Sequence, residues 1–334
     1  MAFDTLSRSH GLWYFPPNPP RTPKEPPDAE TLAAILSKRQ AVRAEGHQRA
    51  AALVAELQEG GASRSEVFEQ QAWDTLQVRL RELTNRCAHC WHDKRQHCIC
   101  AAVPRVPLDL NVRVLILMHH KEYYRASDDA KLLLMMLPPE NARLFIYGRP
   151  GDLDALHAEL DEDPTHSLML WPGDGAQTVA QFVQALPPSS PWRAARSSLT
   201  ADPPPAAAAA GAATWPLMRV VVLDAVYRHA RTMFRHLLRS REPAASGRRP
   251  CQHVALHPTT LSVYSRAQHG YAQASAQSVA QSADPAALRI CTVEAFALLL
   301  AEMGEPAHRQ RAYVEAVLAN NDALRMGGCT PAAG

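Results

Sequence analysis

A carboxylate stands where a run of β-branched residues stops. Val220, Val221, Val222 and Leu223 read as a buried strand, and Asp224 follows directly. Open α/β sheets gather their ligands at the carboxyl ends of strands, so an acid there suits proton transfer or ligand binding. The period then changes. Val226, Ala230, Met233, Phe234, Leu237 and Leu238 share one helical face, while Arg228, Arg231, Arg235 and Arg239 share another. A row of guanidinium groups suits phosphate. The plainer reading of the same residues is an Asp N-cap and a solvated basic face.

Cysteines supply a second chemistry. Cys87, Cys90, Cys98 and Cys100 give C-x2-C followed by C-x-C within fourteen residues. Four thiolates close a tetrahedral zinc site, and this crowding fits a structural Zn2+ better than free thiols or a disulfide framework. His89, His92 and His97 are candidate substitute ligands. Lys94 and Arg95 sit between the pairs and would give a folded knuckle a positive face, or simply keep it soluble.

The elements that must position these groups follow from pattern. Val112–Met118 reads as a buried strand ending at His119, His120, Lys121 and Glu122. Ala130–Leu137 reads as a helix, Arg143–Tyr147 as a strand and Gly148–Gly151 as a turn. Leu168–Leu170 reads as a short strand, with Trp171–Ala176 (WPGDGA) as a glycine-bearing loop before a helix at Gln177–Leu186. Leu261–Arg266 reads as a short strand. Arg289 onward reads as a helix capped by Thr292, and Ala312–Leu318 as a last helix. Alternation of strand and helix from Val112 onward argues for an α/β domain with a mainly parallel sheet. Ahead of it, residues 1–27 form a Pro-rich, disordered tail. Residues 28–84 form a helical extension broken at Gly60–Gly61, more a packing element than a chemical one. Residues 85–327 form the catalytic domain, with the knuckle at 85–104 and low-complexity insertions at 187–213 and 269–287.

Composition sets bounds. The chain has 334 residues, 46% of them hydrophobic, enough for a sizeable core. Formal charge is only +2, so local clusters must carry any nucleic-acid reading. No apolar run is long enough to span a membrane, and the amino terminus lacks the pattern of a secretory signal. Seven cysteines, four of them crowded together, suit a reducing compartment: the cytoplasm, with the nucleus and mitochondrion left open. P-loop, G-x-G-x-x-G and G-x-S-x-G motifs are all missing.

Taken in order, these segments resemble the DTW-domain family, the tRNA-uridine aminocarboxypropyltransferases. The cysteines match its knuckle, and LILMHHKEYYRASDDAK matches "QHPxE…NTxR". WPGDGA matches "YPxxxA", and LDAVYRHA lies where relatives carry "DGTW". SVYSR and RICTVEA match "SxYxxR" and "LSTxEA". The chain departs at Val226 and Tyr227, at Asp128 and Asp129 for Asn-Thr, and at His120 for Pro. The resemblance implies a SPOUT-like α/β fold, with or without a knotted cofactor loop, and S-adenosylmethionine as donor. The group moved is 3-amino-3-carboxypropyl, and the acceptor is N3 of a uridine in tRNA. It implies Asp224 as the proton acceptor, with His119 and Glu122 shaping the target site and Tyr227 stacking on a base. The donor would sit among Leu170, Trp171, Pro172, Gly173, Gly175, Leu223, Ala225, Ile290, Thr292 and Glu294. Lys94, Arg95, Arg228, Arg231, Arg235 and Arg266 would hold RNA phosphates. No membrane and no obligate protein partner are expected. Two other readings stay open: a SPOUT-type RNA methyltransferase, and an RNA-binding scaffold on a decayed fold of this family.

Overall fold

Val220 and Val221 are adjacent in sequence and both fully buried. A strand covered on both faces has this signature, and the sheet is indeed parallel and buried between helices. The computed structural model describes residues 28–61, 63–173, 175–193, 215–242, 247–248, 250–256 and 290–326. Its strands are β1 (Val112–His119), β2 (Ala142–Tyr147), β3 (Ser167–Leu170), β4 (Met218–Asp224) and β5 (Gln252–Val254). All pair in parallel, in the order β2-β1-β4-β3-β5.

The helices are α1 (Ala29–Glu59), α2 (Arg64–Glu82), α3 (Lys131–Met136), α4 (Asp152–Glu162), α5 (Val179–Ala185), α6 (Tyr227–Arg239), α7 (Thr292–Glu302) and α8 (Ala307–Met326). Alternation along the strands divides them into two layers. Val114, Ile116, Met118, Val220 and Val222 face a core shared with α2, α3, α5, α7, α8 and the cysteine segment. Leu115, Leu117, Phe145 and Val221 face the opposite core, formed with α4 and α6.

The order of the strands fixes where a ligand can bind. From β1 the chain leaves through α3 towards β2; from β4 it leaves through α6 and passes β3 to reach β5. Neighbouring strands whose connections part in opposite directions open a crevice at their carboxyl ends. Here those strands are β1 and β4, and their last paired residues are Met118 and Asp224.

Several expectations shift. The third residue of β5 is buried, yet its sequence carried no strand reading; the strand read at Leu261–Arg266, the insertion at 269–287, the tail at 1–27 and the residues after 326 lie outside the described residues. Residues 187–193, read as the start of an insertion, contribute Trp192 to the core, where its indole N–H donates to the Pro216 carbonyl at 2.8 Å. The last helix is longer than read, Ala307–Met326. In front, Leu76 and Leu80 of α2 enter the core, so this helix is built into the domain. Gly148 shows why a glycine must follow β2. Its φ is +97°, and a Cβ there would lie 2.5 Å from the Cβ of Ala72 on α2.

Candidate active site

Asp224 continues the alternation of Val220 and Val222, so its side chain points towards α7. There Thr292 Oγ1 donates to Asp224 Oδ1 at 3.0 Å. Two further acids enter from the loop between β1 and α3. Asp128 Oδ1 accepts the N–H of Lys131 at 3.0 Å. Asp129 Oδ2 accepts the N–H of Val293, in the first turn of α7, also at 3.0 Å. A helix amino terminus favours that negative charge. Asp128, Asp129 and Asp224 are 3%, 6% and 5% exposed as residues. Asp224 Oδ2 is buried and meets no hydrogen-bond donor. The Asp128 carboxyl lies within hydrogen-bond reach of Asp224.

Burial together with neighbouring negative charge sets the electrostatics. Burial, then the charge of Asp128, holds Asp224 well above the ordinary carboxylate range. Burial pushes Asp128 up to about 6, against a hydrogen bond from Asp224 that lowers it. Burial, then the charge of Asp224, pushes Asp129 up to about 6. Glu122 adds to the field on Asp224 and is itself buried, accepting from Arg125 at 3.3 Å. Nearby, Lys131 is fully buried and burial lowers it to about 8; it donates to the Ala126 carbonyl.

The α7 cap is a correction. Cys291, not Thr292, holds the N-cap position, and Glu294 accepts the Cys291 N–H at 2.9 Å. Thr292 is the first helical residue, and its hydroxyl is spent on Asp224. Val226 is another correction. It precedes α6 at the N-cap and is 42% exposed rather than turned inward.

The remaining candidate residues divide among separate surroundings. His119 lies on the opposite face of the sheet from Asp224. Its ring stacks on His229 at 4.2 Å and on His120 at 4.3 Å. Its Nδ1 accepts the N–H of Lys121 at 3.2 Å, and burial lowers it to about 3, so the ring is neutral. Trp171 also faces α6, stacked between Phe234 at 4.8 Å and Tyr227 at 5.7 Å. Tyr227 is 48% exposed, with the Arg231 guanidinium 5.8 Å from its ring centre. Pro172, Gly173 and Gly175 are exposed in the loop after β3; Gly175 has φ +78°. Leu170, Leu223, Ala225 and Ile290 are half-buried. The structure thus joins Asp224, Glu122, Thr292 and, through Asp129, the start of α7. Tyr227 and His119 belong to the α6 side.

Sequence reasoning missed three contributors. Asp128 and Asp129 stood out only as departures from a family motif, because nothing local shows that their loop meets β4 and α7. Arg79 of α2 was overlooked as well. Its guanidinium donates to the carbonyls of Lys121 at 2.8 Å, His120 at 3.2 Å and Tyr123, fixing the loop that carries Glu122.

The four cysteine sulfurs lie within 4.8 Å of one another, with Cys87–Cys100 at 3.5 Å and Cys90–Cys98 at 3.8 Å. Sulfurs about 2.3 Å from a tetrahedral metal stand about 3.8 Å apart, so the set fits a metal ion. His92 is committed elsewhere, with Nε2 2.8 Å from Asn320 Oδ1, and the cluster among the described residues contains cysteines alone. Trp91 closes the first turn at φ 59°, an unusual conformation for a large side chain. Its ring packs on Tyr123 and Tyr124, and its backbone N–H donates to the Cys87 carbonyl at 3.0 Å.

A family model for the DTW domain matches residues 84–321. The chain belongs to the DTW-domain family. Among curated proteins and among solved structures, none matches it. A DTW domain marks a tRNA-modifying protein and implies tRNA as partner. No helix among the described residues is long and apolar enough to cross a membrane. The DTW domain here presents Arg228, Arg231, Arg235 and Arg239 exposed along α6, and among the described residues no carboxylate pairs with them. Lys94 and Arg95 of the knuckle are exposed too. Arg266 lies outside the described residues.

Proposed function

We propose that this protein transfers the 3-amino-3-carboxypropyl group of S-adenosylmethionine to N3 of a uridine in tRNA. The observation that carries the reading is Asp224, a buried carboxylate at the β1–β4 switch point of a DTW domain, bound by Thr292 and flanked by Asp128. The N3 of uracil is a poor nucleophile while protonated, and a carboxylate at this place can take or orient that proton. The donor supplies a carbon made electrophilic by its sulfonium. Backbone groups of 170–173, 175, 223–225 and 290–294 would cradle it, and the protein's share is to hold N3 in line with that carbon. On this reading the parallel sheet is of the SPOUT kind, and the cysteine cluster holds Zn2+ as a structural ion that fixes the knuckle. Phosphates lie along Arg228, Arg231 and Arg235, with Lys94 and Arg95 as a second contact, and Tyr227 offers a ring to an unstacked base. The cytoplasm is the proposed location, with the nucleus as a second one.

Incubation of the full chain with tRNA and S-adenosylmethionine tests this. Aminocarboxypropyl transfer releases 5′-methylthioadenosine, whereas methyl transfer releases S-adenosylhomocysteine. The expected result is the first by-product together with a uridine carrying the added group in nucleoside mass spectrometry. Release of S-adenosylhomocysteine would turn the reading to a methyltransferase. Tight tRNA binding with neither product would leave the RNA-binding scaffold.

A further inference from the structure

Asp224 is 95% buried by its 5% exposure, and one of its two oxygens has no donor to meet. Its other oxygen has the Thr292 hydroxyl. The acids beside it are better served: Asp128 has the Lys131 N–H and Asp129 the Val293 N–H. A buried oxygen without a donor, on a carboxyl group that has a second carboxyl group within hydrogen-bond reach, is explained by a proton on one of the two. We propose that Asp224 and Asp128 share a single proton, and that this pair, rather than Asp224 alone, is the base of the transfer reaction. The inference rests on the function proposed above.

The surroundings agree. Asp129 and Glu122 add negative charge, Lys131 adds one positive charge beside Asp128, and Thr292 is the neutral donor from α7. Two adjacent carboxyl groups in such a field do not both ionise, as paired acids elsewhere show. The two groups titrate as one unit, with one proton and one negative charge held between Asp224 and Asp128. In the reaction the bond from N3 to the aminocarboxypropyl carbon forms and the carbon–sulfur bond breaks. The electron pair goes to sulfur, giving the neutral thioether, and the N3 proton goes to the pair, which then carries two protons and returns one to water.

The test is carbon NMR of the full chain with carboxyl-labelled aspartate, with Asp224 assigned by loss of its signal in Asp224→Asn. In the wild type the Asp224 carboxyl should titrate well above the ordinary carboxylate range. In Asp128→Asn, which keeps an oxygen for the Lys131 N–H, its midpoint should fall by about one pH unit or more. The acid limb of the transfer rate should move the same way. Ordinary titration of Asp224 in the wild type, or an unmoved midpoint in a folded Asp128→Asn, overturns the proposal. If the midpoint moves but no transfer occurs in any form, the shared proton stands and the reaction assigned to it falls.

Discussion

A single hydroxyl decides how Asp224 is held. Thr292 Oγ1 is the one donor its carboxyl meets among the described residues, and it favours the charged form against burial. Thr292→Val removes that donor at nearly constant shape and leaves Asp224 Oδ1 without one, at a cost of about 1–3 kcal/mol. Transfer should slow about tenfold or more, while Thr292→Ser restores most of it; equal rates for Val and Ser would show that the hydroxyl is idle. Asp224 was legible because a β-branched run ends at it. The role of Thr292 was misread because Thr is a better N-cap than Cys by propensity. Tertiary contact with a carboxylate outweighed that preference, and Glu294 made a cap out of Cys291 instead. Asp128 and Asp129 were illegible as partners: they reach β4 and α7 across long stretches of sequence, and no periodicity reports such a meeting.

Elements carry their own signals. The two faces of α6 could be read from the 3.6-residue period alone: Ala230, Met233 and Leu237 are buried while the arginines step along the exposed side. Val226 broke the pattern because it precedes the first helical turn, where the helical period no longer applies. The short β5 left no pattern at all, since three residues cannot show an alternation. The exposed arginine stripe on α6 yields a prediction. Arg231→Glu with Arg235→Glu should weaken tRNA binding at least tenfold at low salt and flatten the dependence of affinity on salt by about two counterions. Both positions are exposed, so thermal stability should change little. Filter-binding titrations over a salt series check this. An unchanged slope would place the phosphates elsewhere, on the knuckle or on residues beyond those described.

Across the whole molecule, two sets of buried ionisable groups pull stability in opposite directions between pH 4 and 6.5. Asp128 and Asp129 have folded values raised from 3.8 to about 6, so the stability they contribute is present at low pH and lost as pH rises through about 6. His92, His120 and His157 have folded values lowered from 6.5 to about 4, and His119 to about 3. For a base the sense reverses. Below 6.5 the unfolded chain takes up protons that the folded chain refuses, so stability falls as pH drops through that window. These two buried acids therefore offset part of the acid sensitivity that buried imidazoles impose. His157 is the cleanest probe. It is 1% exposed, far in sequence from the cysteines, and bound to Ser240 Oγ at 2.9 Å and Arg241 at 3.3 Å. Burial is the main cause of its lowered value, with the Arg248 and Arg241 charges next. His157→Gln removes this titration. The variant should be less stable than the wild type at pH 7.5, because contacts are lost. Yet its stability should drop by about 2 kcal/mol less than the wild type's on going to pH 5. Urea denaturation of both proteins at the two pH values measures the difference; parallel drops would mean that the folded chain takes up the His157 proton as readily as the unfolded one, with Asp161 offsetting the burial and the two arginines.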